Sequence, residues 1–331
     1  MKAAYITRYG NINDVRFNEQ PKPSLSENAV LVKVHAASIN PLDLRVLEGD
    51  FKAILPVPFP FILGNDFAGT VVEIGANVSQ FKVGDEVYAK TDLNGAFAEY
   101  TVVQESSVAL KPRNISLEQA AALPLVALTS WQALVEIAKV QSGQKVLIHA
   151  GSGGVGSIAI QLAKSLGATI ATTTSAKNSG WVKELGADII IDYKTMNFEQ
   201  ELEDYDVVLD TQGGKTLEKS LSVLKRGGRL ISISGPPDHA FAEAVNPNWF
   251  LKCVIPMLSW SIRHKAKKRG ITYSFLFMQP NGQQLSKITE LVEAEKIKPV
   301  VDQVYDFHQI KEALQYVSAG RSKGKVVLNI V

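Results

Sequence analysis

Cysteine is almost absent. Cys253 is the only one in 331 residues, so no disulfide can form within the chain and a cysteine-built metal centre is excluded. Histidine is scarce too: His35, His149, His239, His264 and His308 are scattered, without the spacing of metal ligands. No apolar run approaches the roughly 18 residues that mark a membrane span. The opening, Met1-Lys2-Ala3-Ala4-Tyr5-Ile6-Thr7-Arg8, lacks the apolar stretch of a signal peptide. A reducing compartment suits a chain without disulfides, and the cytoplasm is the expected location. Internal repeats, low-complexity stretches and long linkers are missing as well. What is present is a chain that is 46% hydrophobic with a mean hydropathy of +0.03. Its length suggests two domains and allows a substantial core.

Acid is missing from one long stretch. The formal charge is +2, yet no Asp or Glu lies between Glu243 and Glu290, where Lys252, Arg263, Lys265, Lys267, Lys268, Arg269 and Lys287 are all basic. The run 263–269 follows Trp249-Phe250-Leu251 and Trp260. An anionic membrane surface or a nucleic acid could take such a run. A solvated helix face beside a buried one is the preferred reading, because clustered charge alone specifies nothing. No nucleic-acid partner is expected.

The most informative segment is Lys145-Val146-Leu147-Ile148-His149-Ala150-Gly151-Ser152-Gly153-Gly154-Val155-Gly156. An apolar run leads into G-x-G-x-x-G, and Ser157–Lys164 follows with helical spacing of its apolar residues. Strand, glycine turn and helix in that order are the context a dinucleotide-binding turn requires. Gly151 is expected to permit the tight turn, Gly153 to let a pyrophosphate approach the backbone, and Gly156 to let the helix lie close to the strand. The helix start, with Gly154 and Val155, offers unpaired N–H groups and a positive dipole end to the phosphates.

Acid is missing again at the tip of the next strand, Ala168–Ser175. Lys177 stands two residues beyond Ser175, and no acid follows until Glu184. A carboxylate at that tip accepts from a ribose 2′-OH and repels a 2′-phosphate, whereas a hydroxyl and an ammonium attract one. The expected cofactor is therefore NADPH, with Ser175 and Lys177 on the phosphate. An ordinary solvated loop lysine is the alternative for Lys177. Tyr193, after the third strand, closes the adenosine pocket or simply packs at a strand end.

The organisation is α/β. Short β patterns with Gly and Pro punctuation fill the first part: Ala29–Val34, Gly69–Ile74 and Asp85–Ala89. From about Leu117 the pattern changes. Strands Lys145–Ala150, Thr169–Thr174, Ile189–Asp192, Val207–Asp210 and Arg229–Ser234 alternate with helices, as βαβ units of a parallel sheet do. The tail reads as helices Gln283–Lys296 and Gln309–Ala319 and a last strand, Lys325–Ile330. The apolar stretch Ile271–Met278 is expected to be an edge strand that pairs across a two-fold axis in a homodimer, a strand buried in its own subunit being the alternative.

Several motifs resemble the medium-chain dehydrogenase/reductase superfamily over essentially the whole chain: Gly64-Asn65-Asp66-Phe67-Ala68-Gly69-Thr70-Val71, Val83-Gly84-Asp85-Glu86-Val87-Tyr88, Leu123-Pro124-Leu125, Ala150–Gly156 and Gly320-Arg321-Ser322-Lys323-Gly324-Lys325. Within it the chain is similar to the quinone oxidoreductase branch, near plant-type alkenal and enone oxidoreductases. The resemblance implies a GroES-like β-rich catalytic domain, residues 1–124 and 281–331, and a Rossmann doubly wound cofactor domain, residues 125–280. Zinc-dependent members carry a Cys before the first-domain Asp and a His in Gly-His-Glu. Asn40-Pro41-Leu42-Asp43 and Gly64-Asn65-Asp66 have Asn in both places, so no zinc is expected.

What the resemblance implies is hydride transfer from NADPH to a quinone or an α,β-unsaturated carbonyl, without a metal. Asn40 and Arg45 then fall where the nicotinamide end meets substrate and are the expected catalytic residues. Arg45 replaces a Lys common there in plant enone reductases, and Phe51 stands where many quinone reductases carry a Tyr. Thr129 falls near the nicotinamide, a capping or packing role being as open; Ile233 and Lys323 complete the expected cofactor contacts. Alternatives are a trans-2-enoyl thioester reductase and a crystallin-like NADPH binder without turnover.

Overall fold

The computed structural model describes residues 1–92, 95–247 and 249–331. The chain divides into two compact units, Met1–Leu128 with Gln279–Val331, and Thr129–Met278. Strands β1 (Lys2–Ile6), β2 (Arg16–Glu19), β3 (Ala29–Ile39), β4 (Phe61–Ile62), β5 (Asp66–Ile74), β6 (Glu86–Lys90), β7 (Tyr100–Gln104) and β8 (Val108–Leu110) belong to the first unit. The second holds β9 (Lys145–Ile148), β10 (Thr169–Thr174), β11 (Ile189–Asp192), β12 (Tyr205–Asp210), β13 (Leu224–Ser232) and β14 (Thr272–Phe275). The tail adds β15 (Val301–Asp306) and β16 (Lys325–Asn329) to the first unit.

In the first unit a sheet runs β15-β16-β3-β5-β6-β8, with β7 also on β3, and a small sheet runs β2-β1-β4. Strand β3 is central because β-branched and small residues along Ala29–Ile39 are buried on both faces. It pairs antiparallel with β5, β7 and β16. Two register shifts against β5 bend it, as bulges do. The helix Ile310–Ser318 turns Ile310, Ala313, Leu314 and Val317 toward this core, at the spacing of one helical face. The last strand thus reaches back to Ile39, with Val326 opposite it.

The second unit is a parallel sheet ordered β11-β10-β9-β12-β13-β14. Its central strands read as unbroken apolar runs, Val146-Leu147-Ile148 and Val207-Val208-Leu209, because helices cover both faces. The order reverses at β9, which has β10 on one side and β12 on the other. In such sheets ligands bind outside the carboxyl ends of the strands at that reversal. Strand β14 lies at the sheet's end, bonded to β13. The basic run lies mostly on the helix Trp260–Lys268, where Ile262 and Ala266 are buried and Lys265, Lys267 and Lys268 are exposed. The preceding helix, Trp249–Leu258, departs from the expected buried neighbour: only Ile255 in it is buried. No helix of the described residues is long and apolar enough to cross a membrane.

Candidate functional site

The turn from β9 into the helix Gly154–Ser165 stands at the reversal of strand order. Its left-handed residue is Ala150, at φ 54°, and no glycine of the motif takes that conformation. This corrects the role expected of Gly151. A Cβ on Gly151 would lie 2.2 Å from Thr172 Oγ1, so the neighbouring strand, not the turn angle, bars a side chain there. On Gly156 a Cβ would meet the Ala150 carbonyl oxygen at 2.2 Å and the Gly151 Cα at 2.8 Å. On Gly153 the nearest atom would be 3.3 Å away, which leaves that side of the turn open.

Gly153 caps the helix without a side-chain bond, and the first helical bond runs from the Ser157 N–H to the Gly153 carbonyl, 3.0 Å. The N–H groups of Gly154, Val155 and Gly156 precede it, so the helix start presents donors and a positive dipole end. Ser130, on the helix Pro124–Trp131, donates to the Val155 carbonyl at 3.4 Å, which ties the neighbour of the buried Thr129 to this turn.

The tip of β10 lies beside it. Thr173 Oγ1 accepts from the Ala150 N–H at 3.0 Å, and Thr174 Oγ1 is buried with no hydrogen-bond partner among the described residues. Ser175 is buried next to that orphan hydroxyl, and Lys177 is exposed on the short helical turn Ala176–Asn178. The Tyr193 N–H donates to the Thr174 carbonyl at 3.4 Å, so the exposed Tyr193 ring belongs to the same strand ends. From the other side of β9, the Ile233 N–H donates to the Asp210 carbonyl at 3.0 Å. The glycine turn, Ser175, Lys177, Tyr193 and Ile233 therefore share the carboxyl edge of one sheet. Sequence reasoning misses Asp192, which the register places opposite Thr174; its Oδ1 accepts from the Lys194 N–H at 3.1 Å. Only the strand order reveals that neighbour.

His149, just before the turn, is buried with Nδ1 3.1 Å from Thr173 Oγ1 and Nε2 2.9 Å from Ser220 Oγ. Burial lowers its pKa from 6.5 to about 4. A depressed histidine stays neutral in the fold while the unfolded chain takes up a proton, so its stabilising contribution is full above 6.5 and is lost as pH falls toward 4. The wild type should lose roughly 2 kcal/mol through this group between pH 7 and 5, at about 1.4 kcal/mol per pKa unit. Urea unfolding of His149→Gln should lack that part of the slope; identical pH profiles would remove the assignment.

The first unit carries a buried ionic cluster. Asn40, at the start of the helix Pro41–Glu48, is buried, and its Nδ2 donates to Asp66 Oδ2 at 2.9 Å. Its Oδ1 accepts from Lys325 Nζ, which also donates to the Ile39 carbonyl at 3.0 Å and lies 3.4 Å from Asp66 Oδ2. Asp43 accepts from the Asn40 N–H and from Asn65 Nδ2, both at 2.7 Å. Burial pushes Asp43 up to about 6 and pulls the Lys325 ammonium down against the raising effect of Asp66 and Asp43. Asn40 is thus occupied at both ends of its amide. Arg45, on the same helix, is instead half exposed, with Nε 2.9 Å from Asp50 and its guanidinium 4.7 Å from the Phe51 ring centre. Lys323 is exposed, its N–H on Asp302 Oδ2 at 3.0 Å. Lys325 has a role the closing motif did not announce.

With this geometry in hand, comparison with known proteins is specific. A family described as alcohol dehydrogenase GroES-like domain matches residues 26–113, and one described as zinc-binding dehydrogenase matches 185–328. The NADPH-dependent alkenal/one oxidoreductase, chloroplastic, of Arabidopsis thaliana is 36% identical, covering 99% of this chain and 79% of its own. The mitochondrial NAD(P)H oxidoreductase RTN4IP1 of Danio rerio is 34% identical over 100% of this chain and 92% of its own. The chain belongs to the medium-chain dehydrogenase/reductase superfamily. Its fold agrees: the quinone oxidoreductase of Escherichia coli complexed with NADPH superposes with a TM-score of 0.84 at 26% identity, covering 100% of both chains. Like its superfamily relatives of the quinone oxidoreductase branch, it is an oxidoreductase with a GroES-like domain and a Rossmann sheet.

Zinc is part of one family description, and the residues here do not fit it. In the positions that resemble the catalytic ligand sites stand the amides of Asn40 and Asn65, weak neutral donors where zinc takes thiolate and imidazole. The Lys325 ammonium already neutralises Asp66 at this place. A divalent cation beside it would meet a like charge. Among the described residues no three His, Cys, Asp or Glu side chains gather as metal ligands.

Proposed function

We propose that this superfamily member is an NADPH-dependent, zinc-independent oxidoreductase that reduces quinones or α,β-unsaturated carbonyls. The observation that carries the cofactor is the carboxyl edge of the parallel sheet, where an open glycine turn adjoins a strand tip bearing Ser175 and Lys177 and a buried, unpartnered Thr174 hydroxyl. Gly153, Gly154 and Val155 hold the pyrophosphate by backbone N–H groups; Ser175 and Lys177 take the 2′-phosphate; Tyr193 lines the adenosine. Thr129 and Ile233 border the remaining length of the cofactor.

The bound dinucleotide would supply hydride. An electron-poor alkene or quinone accepts it at carbon with charge delocalised onto a carbonyl oxygen, and a solvent proton completes the reduction. No strong side-chain acid is needed for that. Asn40 acts as a positioning residue, its amide locked by Lys325 and Asp66, and Arg45 is the half-exposed cation of the same helix. The names of the similar enone, alkenal and quinone reductases support this acceptor class. The exposed, unpaired Cys253 supports a reducing compartment, for which we propose the cytoplasm. We also propose a homodimer through the edge of β14, because an apolar edge seldom stays unpaired; a monomeric mass by light scattering would count against it.

The test is cofactor oxidation with quinones, 2-alkenals and enoyl thioesters in excess chelator. An exposed charge contact such as that of Lys177 contributes about 1 kcal/mol and a hydrogen-bonded, partly desolvated one roughly 1.5–3 kcal/mol, so together they imply a preference on the order of 10² for NADPH at about 1.4 kcal/mol per decade. Lys177→Ala should remove about one decade of it, chiefly through the KM for NADPH. Equal efficiency with NADH in the unmutated enzyme would overturn the assignment. Tight NADPH binding without turnover on any acceptor would leave a binding protein instead.

A further inference from the structure

The two helices ahead of β14 carry a surface that hydride transfer does not use. In Trp249–Leu258, a turn of about 100° per residue brings Trp249, Phe250, Cys253 and Met257 onto one side. That side faces solvent: Trp249 is 78% exposed, Phe250 58% and Met257 70%, with Cys253 exposed among them. Leu258, 58% exposed, and Trp260, 62%, continue the apolar surface into the next helix. A surface helix of a soluble protein normally shows solvent its polar side. Contiguous exposed apolar residues rimmed by charge mark an interaction surface.

The charges that the two helices themselves carry are of one sign. Along Trp260–Lys268, Trp260 stacks on His264 at 5.1 Å and 7°, and Lys265, Lys267, Lys268 and the following Arg269 are exposed. Lys265 pairs with Glu218 at 3.2 Å, and Arg269 donates to the Leu221 carbonyl at 3.0 Å. Lys267 and Lys268 have no ion pair among the described residues. The sequence offers no acid anywhere from residue 244 to 289.

These two halves select the occupant. A second copy related by a two-fold axis through this face would set a basic helix against itself, with no acid in the segment to separate the charges. An anionic lipid surface satisfies both halves. Its headgroup boundary takes Trp, Phe, Met and Leu, and its phosphates take Lys and Arg. We propose that the helices Trp249–Leu258 and Trp260–Lys268 dock this protein peripherally on anionic membranes, lying in the interface rather than crossing it. The docking is independent of the hydride-transfer reading.

Sedimentation of the full-length protein with vesicles tests it. The protein should bind vesicles that contain phosphatidylglycerol far better than pure phosphatidylcholine, and added salt should weaken that binding. Lys267→Gln with Lys268→Gln should lower the partition about tenfold or more. Trp249→Ser with Phe250→Ser should abolish it even at low salt. Wild-type dependence on lipid charge and on salt keeps the test valid should either variant fold poorly, which circular dichroism reports. No binding to anionic vesicles at low salt overturns the proposal. So does binding that Trp249→Ser with Phe250→Ser leaves unchanged, or a light-scattering mass that falls in that variant while neither protein binds lipid, which would assign the face to a second copy.

Discussion

Replacing Lys325 by Met should cost roughly 3–5 kcal/mol of folding free energy, the usual penalty for removing one partner of a buried ion pair. Methionine keeps most of the volume, so little of the loss would come from a cavity. What remains is charge: Asp66, fully buried, loses the ammonium 3.4 Å away, and Asn40 Oδ1 loses its donor. Lys90 lies in the same electrostatic neighbourhood, its own ammonium disfavoured by burial, and cannot replace the direct bonds. The sign with pH follows from Asp43. Its folded pKa is raised from 3.8 to about 6, so the fold favours its proton, and the benefit is present below 3.8 and lost as pH rises through 6. Lys325 holds the Asp43 pKa down, so without it that carboxyl moves further up. The deficit of Lys325→Met should therefore be largest at neutral pH and shrink toward pH 5, where protonation of Asp43 removes one of the charges that Lys325 had faced. Urea unfolding at the two pH values measures it. A loss below about 1 kcal/mol at neutral pH, or an equal loss at both, would show that the ammonium does not balance these carboxylates.

This cluster also shows where sequence reading stops. The parallel sheet was legible because each βαβ unit is local and its buried strands are unbroken apolar runs. Val146-Leu147-Ile148 and the glycines after it announce strand, turn and helix within a dozen residues. Lys325 and Asn40, by contrast, are 285 residues apart and meet only because β16 pairs with β3. No local pattern says that a lysine in Gly324-Lys325-Val326 is a buried ion, and Asn40 read alone looks like an available donor. Ala150 is a second case. Its left-handed backbone at φ 54° is the kind of conformation sequence assigns to glycine, and here the glycine beside it answers to a different constraint. The exposed side of Trp249–Leu258 is a third: its residues are those of a core helix, and only the packing shows that they face out.

Gly156→Ala and Gly153→Ala should separate folding from cofactor binding. At Gly156 the added carbon would stand 2.2 Å from the Ala150 carbonyl oxygen, more than an ångström inside normal contact, and 2.8 Å from the Gly151 Cα. Both atoms are backbone and cannot swing away, so the start of the helix Gly154–Ser165 must lift off β9. Overpacking of this kind costs about 1–3 kcal/mol or more. The same lift displaces the N–H groups of Gly154 and Val155, and a shift of about 1 Å at a phosphate site can cost on the order of 10² in efficiency. At Gly153 the nearest atom would be 3.3 Å away, a tight but tolerable approach that leaves the backbone where it is. Stability should then change by less than about 1 kcal/mol, because the N-cap preference for glycine over alanine is opposed by the stiffer unfolded chain that alanine gives at an ordinary extended backbone. The new methyl would instead occupy the open side of the turn, where the pyrophosphate comes closest. The expected result is NADPH affinity weakened on the order of 10² in both variants, with the unfolding midpoint lowered only in Gly156→Ala. Affinity by fluorescence titration and stability by urea unfolding read the two effects independently. If Gly153→Ala bound NADPH as the wild type does, the pyrophosphate would not lie on this turn.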